Sequence, residues 1–290
     1  MSKGVRLFAD LHDKQGGRFS DLSRIILKGR CEMIHPSAII HPTAVIGDHV
    51  EVGPFSIIEE NSKIGSGCKI GSHVIIGANT IMGENNAISH GAIIGSVPQD
   101  KSYQGEASYL IIGDHNTVRE YVTICRGTSK GDGFTRIGSN NFIMNYAHVA
   151  HDVLMGDHNV IVNNVQIGGH VHIEDYITFG CGSGVHQSCN IGRFAMIGAG
   201  SKVSQDIVPY SLADGPRSYI HGINTIGLRR NGFSNEDISM IKKINTILFR
   251  QKRTLDQSIE EINNLPPSEF KEHTLNFINQ STRGIVRMKR

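Results

Sequence analysis

An aliphatic residue returns at every sixth position through most of the chain, and this period constrains the fold more than any other feature of the sequence. It holds over three runs, Ile34 to Ile94, Ile112 to Ile124 and Ile137 to Val203, which together contain 26 hexads. Glycine often follows the aliphatic residue, and a mostly small residue stands four places after it, as Ala38 and Ala44 do. A period sustained over this length is the signature of a repetitive fold.

The hexad period predicts short strands that wind around one axis. A strand alternates its faces, so the aliphatic residue and the small residue two places before it point the same way. A turn in every hexad keeps both positions facing the axis, and glycine suits such turns. Three hexads then form a triangular coil of about 18 residues, and successive coils pair as parallel strands about 4.8 Å apart. We therefore predict a parallel β-helix of between eight and nine coils, whose hand the period does not fix.

The hexads divide the chain into three parts. Residues 1–32 contain none, and we expect them to be an N-terminal extension that need not be ordered. Residues 33–222 form the predicted β-helix domain, and residues 223–290 a small helical domain. In the last part Ser234, Thr254 and Ser268 each precede a predicted helix and are suitable N-cap residues.

Two segments interrupt the repeat, because a coil can place extra residues only in loops. They are roughly Val97–Tyr109 and Ser129–Thr135. Loops on a rigid scaffold often carry function, so we expect both near a functional site.

Charge and composition exclude several classes of protein. No run approaches the roughly 18 apolar residues of a membrane span, and the five cysteines form no C-x-x-C pair. These features favour a cytoplasmic protein without stable membrane insertion. We also expect no nucleic-acid partner. Residues 223–290 carry 12 Lys+Arg against 7 Asp+Glu, a surface that is either simply solvated or suited to an acidic partner.

Polar residues with coil spacing predict a site on one side of the β-helix. Asp152 and His170 are 18 positions apart, and so are His151 and Gly169, so each pair should stack on adjacent coils. His148 and His151 are expected at the two ends of one corner. The full set expected to line this side is His148, His151, Asp152, His170, His186 and Gln187.

Two chemistries fit such a cluster, and exposed histidines on turns are the alternative to both. A histidine beside a carboxylate can act as a general base. Three histidines from neighbouring coils could instead bind zinc with an open position for water, as in the γ-class carbonic anhydrases. Zinc would not explain the long first loop or the basic helical tail.

Seven segments, in order along the chain, carry a closer resemblance. They are VPQD (97–100), YQGE (103–106), REYVTICRGT (119–128), NYAHVAHD (145–152), GGHV (168–171), VHQ (185–187) and GLRRNGFS (227–234). Together they resemble the acyl-ACP:UDP-N-acetylglucosamine O-acyltransferases of lipid A biosynthesis, over a span from Met33 to about Arg287. Known hexapeptide-repeat proteins wind as a left-handed parallel β-helix, and the resemblance implies this hand here.

The resemblance implies transfer of a 3-hydroxyacyl chain from acyl carrier protein to the 3-hydroxyl of UDP-N-acetylglucosamine, by homotrimers. It implies His151 as general base, Asp152 as its orienting partner and the Gly169 N–H as donor to the oxyanion. The implied substrate-binding residues are Asp100, His148, His170, His186, Gln187, Ala199 at the floor of the acyl pocket, Asn224 and Arg230. No metal and no resident cofactor are implied, since the acyl group arrives on the phosphopantetheine of acyl carrier protein.

Three departures from the family pattern leave alternatives open. Ser102 stands where relatives often have lysine, Cys125 where a histidine is familiar, and Ser188 where an aromatic residue is common. A related N-acyltransferase acting on a 3-amino sugar nucleotide is the alternative enzyme. A trimeric scaffold that has lost catalysis is the alternative outside enzymes, although an intact AHVAHD segment argues against it.

Overall fold

The computed structural model describes residues 33–251 and 253–288, so the expectation for residues 1–32 lies outside the described part of the chain. Within it, short strands follow one another at intervals of about one hexad. The strands are β1 (Ile39–Ile40), β2 (Val45–Ile46), β3 (Glu51–Val52), β4 (Ile57–Ile58), β5 (Lys63–Ile64), β6 (Lys69–Ile70), β7 (Ile75–Ile76), β8 (Thr80–Met82), β9 (Ala87–Ile88), β10 (Ile93–Ser96), β11 (Tyr109–Ile112), β12 (Thr117–Val118), β13 (Thr123–Cys125), β14 (Phe134–Ile137), β15 (Phe142–Ile143), β16 (His148–Val149), β17 (Leu154–Met155), β18 (Val160–Ile161), β19 (Gln166–Ile167), β20 (His172–Ile173), β21 (Thr178–Phe179), β22 (Gly184–Val185), β23 (Asn190–Ile191), β24 (Met196–Ile197), β25 (Lys202–Val203), β26 (Ser211–Asp214) and β27 (Tyr219–Ile223).

The strands pair with the pattern of a parallel β-helix, as predicted. Each strand from β1 to β22 pairs in parallel with the third strand after it. Beyond β22 the pattern ends: β23 is the last strand of its sheet, and β26 pairs with β24. The result is three sheets: sheet I of nine strands from β1 to β25, sheet II of eight from β2 to β23, and sheet III of ten from β3 to β27. Antiparallel pairing of β26 with β27 ends the coil, a feature that the hexad period does not predict.

The interior contains the two inward positions of every hexad. Ile58, Ile76 and Ile94 stack in register on sheet I, and all three are fully buried. The small position is equally buried, as Cys68 and Cys189 show. Burying one such aliphatic side chain stabilises the fold by about 1.5–3 kcal/mol, so the repeat stabilises a long and narrow core.

The corners of the coil use glycine differently from the prediction. The left-handed backbone conformation at the corners belongs mainly to non-glycine residues such as Asn61, His73 and Tyr121, with φ of 58°, 56° and 59°. The glycine that follows the aliphatic residue instead permits close approach of adjacent coils. A Cβ on Gly53 would lie 2.7 Å from the backbone carbonyl carbon of Gly71 on the next coil.

In the described residues after the coil there are four helices: α1 (Thr225–Arg230), α2 (Asn235–Phe249), α3 (Leu255–Asn263) and α4 (Glu269–Gln280). The N-caps of α2, α3 and α4 are Ser234, Thr254 and Ser268, as the sequence predicts, whereas α1 was not predicted. The apolar faces of the helices share one core with Val208 and Tyr210 at the end of the coil.

Across the described residues, no helix combines the length and the apolar character needed to cross a bilayer.

Candidate active site

The two long loops and the polar cluster lie along one edge of the β-helix. We call it the loop edge: it comprises the corners where sheet I passes to sheet II, with loops 97–108 and 126–133 and the corners 150–153, 168–171 and 186–189. Because equivalent residues on successive coils are 18 apart, the corners at 150–153, 168–171 and 186–189 stack directly. The loops therefore leave the coil on the side where the sequence predicts a site.

His151 and Asp152 form a hydrogen-bonded pair at the loop edge. The His151 Nδ1 and Asp152 Oδ2 atoms are 2.7 Å apart, and their side chains are only 13% and 4% exposed. An ionised carboxylate can only accept, so Nδ1 of His151 donates, and in the neutral form of the imidazole Nε2 is then the acceptor. Among the described residues nothing hydrogen-bonds to Nε2. The pair therefore presents a free base nitrogen.

Thr128 holds the Asp152 carboxylate in place. Its backbone N–H donates to Asp152 Oδ1 and its hydroxyl to Oδ2, each at 2.7 Å. Asp152 has φ 59°, and its own N–H donates to the Thr135 hydroxyl at 2.8 Å. A Cβ on Gly131 would lie 2.5 Å from Asp152 Oδ1, so this loop needs a glycine where it passes the carboxylate. Sequence reasoning missed Thr128, although its RGT segment was the available signal.

Gly169 lies against the imidazole on the next coil and has a free N–H. A Cβ there would lie 2.7 Å from His151 Cε1 and 2.9 Å from Nε2. Within the described chain no acceptor contacts the Gly169 N–H. At comparable corners a side-chain oxygen accepts from the equivalent N–H, in Ala78, Glu84, Asp114, Ser139, Asp157 and Arg193. Gly169 thus offers an unpaired donor beside the free base.

His170 completes a group that could in principle hold a metal. Its Nε2 is 3.5 Å from Asp152 Oδ2, and its ring packs edge-on against that of His151. One ligand atom from each of the three residues lies within 4.8 Å of the others. Asp152 Oδ2 already accepts from the Thr128 hydroxyl and from His151, so a metal bound at this oxygen would compete with those hydrogen bonds.

His148 lies on the outer face of β16 rather than at the corner where the sequence placed it. Its Nδ1 pairs with the Thr123 hydroxyl at 2.7 Å. Burial, and secondly the nearby His151, lower the pKa of His148. The ring is therefore neutral near pH 7 and suits contact with an uncharged polar group.

Asp100, His186 and Gln187 also belong to the loop edge. Asp100 lies in the first loop, where hydrogen bonds from the Ser102 amide and from Lys130 hold the pKa of its carboxyl far below the usual range. His186 and Gln187 are exposed one coil beyond Gly169, and the His186 ring donates to the Gln187 carbonyl at 3.1 Å.

Three predicted residues lie elsewhere on the chain. Ala199 is exposed at a corner between sheets III and I. Asn224 caps α1 at the edge between sheets II and III, where its Nδ2 donates to the Phe194 carbonyl at 3.0 Å. Arg230 is exposed in the last turn of α1. A single chain therefore does not bring them to the loop edge.

Cys125 is unsuited to nucleophilic chemistry. It is fully buried at the end of β13, and burial raises the pKa of its thiol. The thiol stays protonated near neutral pH, which favours simple substitution at this position over a reactive cysteine.

Family models place this site in a known class. A model described as bacterial transferase hexapeptide (six repeats) matches residues 134–169, which include His151, Asp152 and Gly169. A second, described as UDP N-acetylglucosamine O-acyltransferase, domain 2, matches residues 206–286. The coil and its His–Asp edge therefore define a hexapeptide-repeat acyltransferase.

Individual relatives narrow the class. The acyl-[acyl-carrier-protein]–UDP-N-acetylglucosamine O-acyltransferase of Leptothrix cholodnii is 45% identical over 201 residues, or 67% of this chain and 76% of that protein. The UDP-N-acetylglucosamine O-acyltransferase structure from Moraxella catarrhalis is 43% identical, with a TM-score of 0.85 over 88% of this chain and 100% of that one. The structure of the Francisella novicida UDP-N-acetylglucosamine acyltransferase is 39% identical, with a TM-score of 0.86 over 88% and 94%. This chain belongs to the acyl-ACP–UDP-N-acetylglucosamine O-acyltransferase family, which confirms the resemblance in the sequence.

Proposed function

We propose that this protein transfers a 3-hydroxyacyl chain from acyl carrier protein to the 3-hydroxyl of UDP-N-acetylglucosamine, the first step of lipid A biosynthesis, in the cytoplasm. One observation carries the proposal: the free Nε2 of His151 and the unpaired N–H of Gly169 lie at one corner on adjacent coils, where a Cβ on Gly169 would come within 2.9 Å of Nε2. Acyl transfer to a hydroxyl needs both groups, a base for the proton and a donor for the oxyanion. Family membership indicates the two substrates, acyl carrier protein as the acyl donor and UDP-N-acetylglucosamine as the acyl acceptor.

The proposed mechanism is direct transfer without an acyl-enzyme. His151 Nε2 removes the proton of the 3-hydroxyl as the oxygen attacks the thioester carbonyl, and Asp152 stabilises the resulting imidazolium. The carbonyl oxygen becomes an oxyanion that accepts from the Gly169 N–H. Collapse of the tetrahedral intermediate forms the ester and expels the phosphopantetheine thiolate, which takes the proton back from His151.

The proposed active unit is a homotrimer. Ala199, Asn224 and Arg230 lie on other edges than His151, so a neighbouring chain would have to present them to the same substrate. Sedimentation or light scattering should give a mass of about three 31.7 kDa chains. A stable monomer that retains activity would contradict a shared site.

The direct test is to offer the purified protein UDP-N-acetylglucosamine and a series of hydroxyacyl carrier proteins, with products measured by mass spectrometry. An ester at the sugar 3-hydroxyl supports the proposal. Preference for the 3-amino sugar nucleotide would instead identify the N-acyltransferase, and no product from either acceptor would favour the inactive scaffold. Transfer that continues in a chelator would dismiss the zinc alternative.

Replacing Ala199 with methionine should shift the preferred acyl chain towards shorter lengths. The residue is proposed as the floor of the acyl pocket, and methionine fills space that alanine leaves open. Competition among hydroxyacyl donors of different length measures the shift. An unchanged product profile in a folded variant would place the pocket floor elsewhere.

Reversing charges on α2 should weaken the interaction with acyl carrier protein, which is acidic. Lys242, Lys243 and Arg250 are exposed, whereas Arg253 pairs with Glu261, and Lys252 lies outside the described residues. The double variant Lys242→Glu/Lys243→Glu should raise KM for the carrier, with a larger effect at low salt. Lys63→Glu, a charge reversal at an exposed position on β5, is the matched control. If both variants had the same KM for the carrier, the basic residues of α2 would be an ordinary solvated surface and not a binding site.

A further inference from the structure

Three consecutive residues of the second loop each bind a different carboxylate. The three contacts are Thr128 N and Oγ1 to Asp152 at 2.7 Å each, Ser129 Oγ to Glu106 Oε1 at 2.8 Å, and Lys130 Nζ to Asp100 Oδ2 at 2.9 Å. The first contact holds the partner of the proposed base, and the other two hold the first loop. The second loop therefore connects the His151–Asp152 pair with loop 97–108.

Lys130 is the one partner of Asp100 that comes from outside the first loop, among the described residues. The other donors are the N–H and hydroxyl of Ser102, at 2.8 and 2.9 Å from Asp100 Oδ1, and they move with the loop. They can orient the carboxylate within the loop but cannot fix it relative to His151. The Asp100 side chain is only 14% exposed, although its loop has no strand or helix.

The Asp100 carboxylate retains acceptor capacity in this arrangement. An ionised carboxylate offers about four acceptor sites. Oδ1 receives Ser102 and the longer Lys130 contact of 3.3 Å, whereas Oδ2 receives Lys130 alone within the described chain. One site on Oδ2 is thus left for a donor from outside the protein.

We propose that Lys130 is a positioning residue for the acceptor sugar: it fixes Asp100 at the loop edge so that Oδ2 accepts from a hydroxyl or amide of the sugar nucleotide. This inference rests on the proposed function, which provides a donor-rich acceptor substrate. The strongly lowered pKa of Asp100 agrees with it, because the carboxyl is then an acceptor throughout the neutral range. Without the ammonium the Ser129–Glu106 contact would still hold the loop, but binding would have to order the Asp100 carboxylate as well as the sugar.

The test separates positioning from chemistry by measuring KM for each substrate and kcat. Lys130→Met should raise KM for the sugar nucleotide about tenfold, with kcat and the KM for acyl carrier protein within about twofold. Lys130→Arg keeps the charge and the reach, so it should restore most of the affinity. Lys69→Met, which breaks the exposed Lys69–Glu51 pair on sheet III, is the matched control and should change nothing.

A double-mutant cycle shows whether Lys130 acts through Asp100. Lys130→Met combined with Asp100→Asn should be no worse in sugar-nucleotide KM than Asp100→Asn alone. Additive losses, or an unchanged KM in an active Lys130→Met enzyme, would overturn the inference. Absence of acyl transfer by the unaltered protein would instead overturn the proposed function. In that case the role of Lys130 could still be tested by measuring sugar-nucleotide binding to the unaltered protein and to Lys130→Met by calorimetry.

Discussion

Replacing His151 with alanine should lower kcat by at least about a hundredfold, because a positioned general base typically contributes about 10²–10⁴-fold. A sugar hydroxyl is a poor nucleophile at neutral pH, and among the described residues Nε2 of His151 is the nitrogen left free beside the Gly169 N–H. The corner itself should persist, since the His170 N–H donates to the backbone carbonyl of residue 151, which alanine keeps. Steady-state kinetics on the folded variant, with sugar-nucleotide binding measured separately, checks the result.

His148→Ala is the matched control for this prediction. His148 has no adjacent carboxylate and bonds to Thr123, so its loss should act mainly through KM. Near-normal turnover by a correctly folded His151→Ala protein would refute the proposed mechanism and reopen the scaffold interpretation. A large fall in kcat for His148→Ala with little change in KM would move the base to that position.

Replacing Gly169 with alanine should lower kcat by roughly a hundredfold, the loss that a 1 Å misplacement of a reacting group can cause. The added Cβ would lie 2.7 Å from His151 Cε1 and 2.9 Å from Nε2, closer than carbon atoms pack. The imidazole must then rotate or shift, which disturbs its hydrogen bond to Asp152 and the position of Nε2 relative to the Gly169 N–H. Because the coil keeps its backbone pairing, far-ultraviolet circular dichroism should stay unchanged.

Gly184→Ala on β22 provides the control, because a Cβ added at Gly184 would lie no closer than 3.9 Å to any neighbouring atom and would cause no clash. That variant should keep normal kcat. If Gly169→Ala also turned over normally, the imidazole would not depend on its contact with Gly169, and the proposed geometry of base and oxyanion donor would be wrong.

The hexad period alone determined the coil and its core. Each inward position repeats in register with the next coil, so the period by itself is enough to place Ile58, Ile76 and Ile94 in one buried column. Helix starts were also predictable, because capping boxes at Ser234 and Thr254 are local in sequence. By contrast, the antiparallel β26–β27 pair ends the repeat and depends on contacts that no period encodes.

The spacing of 18 residues also placed most of the site. It stacked His151 below Gly169 and Asp152 below His170, because residues one coil apart must lie at the same corner. The sequence analysis placed His148 at the end of a corner, whereas it lies on strand β16 directly before the inward Val149 and points outward, as His172 does before Ile173 on β20. The role of glycine was also misjudged: contact between coils, rather than backbone φ, excludes a side chain at Gly53.

What the sequence determined by itself is the periodic part of this protein: the coil, its core and the order of polar groups along one edge. Only the tertiary structure decided what lies over that edge, because Thr128 and Lys130 reach Asp152 and Asp100 across 24 and 30 positions through loops that have no period. It also placed Ala199 and Asn224 on other edges than His151. The physical reason is that backbone pairing repeats with the chain, whereas a loop is fixed by side-chain hydrogen bonds to whatever the fold brings beside it.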